Sequence, residues 1–257
     1  MPDVAVTEEE MKAAEILRGQ GEFATALALT QGMLNRAQDD ETRMRLLFDV
    51  LYCSTQLKAD SITNDAICEL EKLPDPKMSR VFVDLIRATS HIAFGEAKEA
   101  LDLIDANLNT QYMGREDFRD WKYEHLAYRG RALAYLGRWQ ESLESLEAAH
   151  QMLPEGKRTS DILIDKSLCM MMFNRYEEAL HLASQVQRRE HGDMETLAMQ
   201  YMAECELGLG RASDALKLYS QIEGRAPCRL VQEERIQTGI KNAMKYLEKR
   251  SPQGKPS

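Results

Sequence analysis

The stretch that decides the fold is residues 123–154, YEHLAYRGRALAYLGRWQESLESLEAAHQMLP. Leu126, Arg129, Gly130, Leu133 and Ala134 recur at the three-and-four spacing of one helix, and Trp139, Leu143, Leu146 and Ala149 do so for a second, with Gly137 between them. Two helices joined by so short a turn run antiparallel and cross near the middle of the first. Gly130 carries no side chain to hold the two backbones apart there, which outweighs its poor helix propensity. Gly137 permits the positive-φ turn that ends the first helix, Trp139 fills the corner where the second begins, and Pro154, having no N–H to donate, stops it. Packing accounts for each of these residues, so none of them points to chemistry.

The same turn-plus-helix string returns along the chain as GEFATAL (21–27), FGEAKEAL (94–101), NRYEEAL (174–180) and GRASDAL (210–216). This pattern resembles the tetratricopeptide repeat, a helix-turn-helix unit of about 34 residues closing near a proline. The resemblance implies an all-α fold, a right-handed α-α superhelix (solenoid) of about six helix-turn-helix repeats plus a C-terminal capping helix. It also implies a class of work, the binding of other proteins.

Read this way, residues 1–250 form one solenoid with units at about 7–40, 42–76, 81–114, 115–156, 160–193 and 196–229, a cap helix at 230–250 and a disordered polar tail at 251–257. In the first unit Thr7 and Glu10 make a capping-box pattern, with Ala14 and Leu17 as small and large packing positions. The second is degenerate: a helix from about 42 to 57 carries Leu46, Leu47, Val50, Leu51 and Ser54, and a helix over 61–73 is closed by Pro74 and Pro76. The third restores the pattern with Ala88 at the small position. Gly95 and Gly137 lie 42 apart, eight more than one 34-residue unit, so residues 115–121 read as an N-terminal extension of the next helix, with Phe118, Trp121, His125 and Tyr128 down one side. The fifth unit has Ser167 small and Asn174 in place of the turn glycine, a tolerable swap because Asn also visits αL. The sixth has Ala203 and closes near Pro227. In the cap helix Ile236, Ile240, Ala243 and Leu247 share one face, as a solenoid end requires.

The net charge of −9 argues against a general phosphate-binding surface and hence against nucleic acid. The balance is uneven: from Arg225 onward eight basic residues face three acidic ones, leaving +5 there and −14 on the rest. A solvated basic last helix explains this, and an electrostatic contact with an acidic partner is the competing reading. Five cysteines without a C-x-x-C pair suggest no disulfide framework. With no basic leader and no run of eighteen apolar residues, a soluble cytoplasmic protein without a membrane partner is expected. Phosphate-loop, dinucleotide, zinc-protease and nucleophile-elbow motifs do not occur, and the five histidines are scattered without ligand spacing. No catalytic residue, metal site or cofactor is therefore expected, and the protein reads as a non-enzyme.

What remains is the surface that the resemblance assigns to the first helix of each pair, a concave groove that holds a peptide. Carried onto matching positions, the groove residues are Phe82, Leu85, Thr89 and Ile92 in the third unit and Ala127, Arg131 and Tyr135 in the fourth. The fifth supplies Ile164, Leu168, Met171 and Met172. Phe48, Leu51 and Thr55 in the second unit, Glu124 in the fourth, and Leu197, Gln200 and Glu204 in the sixth complete the set. Some members of this family clamp a chaperone's C-terminal carboxylate with Lys, Arg and Asn. Here Asp161, Asp165 and Glu204 stand where they would repel an acidic tail, and the groove is mostly apolar, with adaptable methionines at 170–172. The expected partner is another protein or peptide presenting an apolar or amphipathic segment, the chain serving as adaptor, scaffold or chaperone. The alternatives are a homo-oligomeric subunit joined through the last helix or the 115–128 extension, and an RNA-binding repeat array.

Overall fold

The computed structural model describes residues 5–73, 76–153, 159–225 and 233–250. Among these the secondary structure is entirely helical. The α-helices are α1 (Glu8–Gly19), α2 (Phe23–Leu34), α3 (Asp40–Gln56), α4 (Asp60–Leu70), α5 (Pro76–Ala93), α6 (Ala97–Leu108) and α7 (Arg119–Tyr135), followed by α8 (Trp139–Met152), α9 (Ser160–Met172), α10 (Tyr176–Arg189), α11 (Asp193–Gly208), α12 (Ala212–Glu223) and α13 (Glu233–Arg250). Two 3-10 turns, Gln111–Gly114 and Glu116–Phe118, precede α7. The helices pack as consecutive pairs, the all-α helix-pair arrangement expected. By contacts the chain divides into two compact units, Met1–Trp121 and Lys122–Ser257.

One backbone feature repeats through both units. Gly21, Lys58, Gly95, Gly137, Asn174 and Gly210 all have positive φ, between 55° and 81°, and each ends the first helix of a pair. Their separations are 37, 37, 42, 37 and 36 residues, so the period is 36 or 37 and not 34. The insertion before α7 is accordingly five residues, and the two 3-10 turns occupy that region in place of a continuous helical extension. Lys58 is invisible to the glycine pattern. Counting back seven residues from each turn gives Ala14, Leu51, Ala88, Gly130, Ser167 and Ala203, so the second pair crosses on a leucine, and this is why it looks degenerate in sequence. Ser54, one turn further along α3, is fully buried and accepts a hydrogen bond from Thr63 Oγ1 at 2.9 Å.

The crossing is tightest in the second unit. A Cβ on Gly130 would stand 2.5 Å from Leu146 Cγ and 3.2 Å from Ser142 O. Ser142 Oγ donates to the Gly130 carbonyl at 2.7 Å, and Ser167 Oγ donates to the Ala179 carbonyl at 2.9 Å in the next pair. Outside the second pair, where Thr63 stands, the facing residues are small and buried: Ala26, Ala100, Ser142, Ala179 and Ala215. Gly208 is fitted against the Tyr176 ring, and Gly239 of α13 has Tyr219 directly over it. Gly239 follows Ala203 by 36 residues, which puts α13 in the register of a first helix; it runs on through Tyr246, where a turn residue would stand. Ile236 and Ala243 are buried as expected of a cap and Ile240 is partly so, but Leu247 is exposed near the helix end.

The capping box forms: Thr7 Oγ1 accepts from the Glu10 amide at 3.2 Å, and Glu10 Oε2 accepts from the Thr7 amide at 3.0 Å. Pro76 begins α5 and does not close α4, since a helix's first residue needs no N–H. Pro74, Pro154, Pro227 and the tail at 251–257 lie outside the described residues.

In the first unit Phe82 meets Phe48 at 4.3 Å and Trp121 at 4.1 Å between ring centroids, and Phe118 stacks on Phe82 at 5.8 Å. Tyr112 and Met113, from the first 3-10 turn, are buried in the same cluster. The inserted residues thus complete an aromatic core. Phe118 and Trp121 serve this packing, and His125 is fully buried in the second unit, so these aromatic residues of the 115–128 stretch are packing residues.

Two substitutions separate the crossing from the turn. Gly130→Ala should cost about 1–3 kcal/mol by overpacking Leu146, whereas Gly137→Ala, in open space, should cost only the roughly 1 kcal/mol of a strained φ. Thermal melts that rank the two in the reverse order contradict this register. Conversely, Lys58→Gly should raise Tm by about 2–4 °C, relieving about 1 kcal/mol of αL strain, less what is lost with the Lys58–Phe94 ring contact at 5.3 Å. Asn174→Gly should change Tm less, because Asn already tolerates that conformation.

Candidate functional site

The residues expected to line a groove do not share one fate. Phe82, Leu85, Thr89, Ile92 and Ile164 are buried, Phe82 at 1 % exposure inside the aromatic cluster and Ile164 at 2 % in the α9–α11 core. Phe48 and Leu51 are likewise core, and Thr55 turns back to bond the Leu51 carbonyl at 2.7 Å. Ala127, Arg131, Leu168 and Met171 are half-buried, while Tyr135 and Met172 stand out at 67 % and 49 %. Of the second unit's groove residues, those that keep exposed surface lie on α7, α9 and α11, where Leu197 and Glu204 are half-buried as well.

Charge organises that face. Arg131 of α7 reaches Asp165 of α9 at 2.8 Å and Asp161 at 3.5 Å, its guanidinium lying 5.6 Å from the Tyr128 ring centre. Burial opposes the Arg131 charge, but Asp165 and Asp161 outweigh it and hold its pKa well above the ordinary arginine value. On α11, Glu204 binds Arg235 of α13 at 2.6 Å and accepts from Gln200 Nε2 at 2.7 Å, while Arg235 covers the Tyr201 ring at 5.6 Å. Asp165 and Glu204 are thus neutralised by arginines from adjacent first helices. They do not present the repulsive acidic surface that the sequence suggested. The first unit uses the same device: Arg18 of α1 pairs with Asp49 of α3.

Between the two ion-paired seams the face is apolar. Leu168 and Met171 pack partly into the core that holds Tyr201 and Ala198, and with Met172, Tyr176, Leu207 and Gly208 they line an open cleft of about 440 Å³. Glu204, Arg235, Asn242 and Tyr246 close its α13 side. Sequence reasoning named Leu168, Met171, Met172 and Glu204 but missed the α13 wall. Gly239, spaced 36 residues after Ala203, is the signal that could have shown α13 to be another first helix with groove positions of its own.

The buried cysteines are not placed for reaction. Burial pushes the Cys53 thiol up to about 11 and the Cys205 thiol up to about 12, and Cys169 is buried against Ser142 Oγ at 3.2 Å. Among the described residues no cluster of three metal-ligating side chains occurs, and no helix is long and apolar enough to cross a membrane.

No protein-family model matches the chain, and no curated protein does. Two solved structures align over 92 % of this chain and 98 % of their own. One is a tetratricopeptide repeat protein from Parabacteroides merdae, at 11 % identity and a TM-score of 0.40. The other is a thermophilic TPR protein of Thermus thermophilus, at 16 % identity and a TM-score of 0.37.

The Arg131 seam can be weighed by a double-mutant cycle. Arg131→Met should destabilise by about 2 kcal/mol, because it leaves the Asp165 carboxylate, 15 % exposed, without its cation. Adding Asp165→Asn should recover most of that loss in denaturant melts. Additive losses would mean that the pair is not coupled.

Proposed function

We propose that the protein is a non-enzymatic binding module that holds an apolar or amphipathic segment of another protein on the first-helix face of its second unit, working as an adaptor, scaffold or chaperone in the cytoplasm. The observation that carries this reading is the cleft itself. Its floor is Leu168, Met171, Met172 and Leu207, and Met172, like Tyr135 of α7, keeps a large side chain in water where a purely structural helix end would place a polar one. Methionine suits such a floor because its unbranched thioether adapts to varied shapes. The arginine–carboxylate seams support the reading from another side. They spare an incoming apolar segment the cost of burying an unpaired charge.

The test is made in pairs, a melt and a pull-down on the same sample, using the partner that co-purifies after cross-linking in the native host. Met172→Asp should abolish capture with little change in Tm, since the side chain is half in water. Leu168→Asp should abolish capture at some cost in stability, because Leu168 is also packed. Retained capture by a folded Met172→Asp protein would remove the cleft from consideration.

A further inference from the structure

Beside the α13 border of the cleft stand exposed lysines, with Glu248 among them. On α13, Asn242 and Tyr246 line it; Lys245 follows Asn242 by three residues and Lys249 follows Tyr246 by three, so both lysines neighbour lining residues on the helix surface. Lys241 lies one turn before Lys245. All three are exposed, and among the described residues none is engaged in an ion pair or hydrogen bond. The two charges lining the cleft, Glu204 and Arg235, are paired with each other at 2.6 Å. The closing turn of a helix favours cations, which accounts for Lys249; Lys241 and Lys245 stand further back than that effect extends.

We propose that the segment held here is an acidic amphipathic helix, its apolar side on Leu168, Met171, Met172 and Leu207 and its carboxylates over Lys245 and Lys249. This rests on the cleft reading above and specifies the partner's chemistry. An amphipathic helix offers anchors at i, i+3 or i+4 and i+7, and a cleft of about 440 Å³ accommodates the few branched side chains that one such face presents. Lysine stems can lie along an apolar edge while their ammonium groups stay in water, so carboxylates can reach them without being desolvated. A nucleic acid fits poorly, because three cations beside an apolar floor on a chain of net charge −9 make no phosphate track.

Three fluorescein-labelled helical peptides of about 18 residues, five turns, test this against the full chain by fluorescence anisotropy: one with Leu on one face and Glu on the other, one with Leu and Lys, one with Ser and Glu. The Leu/Glu peptide should bind at least about tenfold more tightly than the other two. Lys245→Glu combined with Lys249→Glu should weaken it about tenfold and strengthen the Leu/Lys peptide, with Tm lowered only slightly, because both sites are exposed and only Lys249 loses a favourable place in the closing turn. If the Leu/Glu and Leu/Lys peptides bind equally, both are weakened by Met172→Asp and charge reversal does nothing, the acidic partner is overturned while the cleft stands. If the Ser/Glu peptide binds as well as Leu/Glu, or if no peptide binds, the proposal and the cleft reading on which it rests both fall.

Discussion

The close approach of two helices across a reverse turn is the constraint from which the rest of each unit follows. Where a first helix turns back at a positive-φ residue, the residue seven places earlier faces the second helix at backbone distance, and the space there is set by what both helices omit. At Gly130 even a methyl group would collide with Leu146. Ser142 and Ser167 use the proximity to bond carbonyls of the facing helix, which gives an otherwise unspecific apolar contact a fixed register. Once that register is fixed, the face each first helix turns away from its partner is fixed too, and with it the positions of Arg131, Leu168 and Met172.

The five-residue insertion before α7 shows how such a register can be reused locally. Tyr112, Met113 and Phe118 enter the first unit's core from 3-10 turns, where a short backbone can place large rings without a second full helix. Phe82 occupies a position that the repeat pattern assigns to a groove, yet it is enclosed by Phe48, Phe118 and Trp121. Burial of four aromatic rings in edge and stacked contacts is worth more than keeping one of them available, so the repeat's own logic gives way to the insertion.

Much of the fold was legible in the sequence because its determinants are local. The turn glycines, the small residues seven places before them and the capping box at Thr7 each express a backbone requirement that one residue type satisfies best. Lys58 escaped because strain was tolerated in place of the usual residue, and Leu51 because the second pair crosses on a bulky side chain. The candidate site was less legible. Whether Phe82 or Met172 faces water depends on residues tens of positions away, and whether Asp165 repels or is neutralised depends on Arg131 being 34 residues earlier on the neighbouring helix. Periodicity records which side of a helix a residue occupies; it carries no information about what a distant segment lays over that side.

The ion pairs and the apolar floor depend on each other. A carboxylate half-removed from water is costly unless a cation satisfies it, and Asp165 and Glu204 are each met by an arginine whose planar group also lies over a tyrosine. Lysine could not do both, because its ammonium group is a compact, strongly hydrated point charge. The result is a face whose partly buried charges cancel in pairs across α7–α9 and α11–α13, with Leu168, Met171 and Met172 between the two seams. Against that neutral background Lys245 and Lys249, next to the lining residues Asn242 and Tyr246, are the cations proposed to give the cleft a sign. The selectivity proposed for it therefore comes as much from the carboxylates that have been neutralised as from the cations that have not.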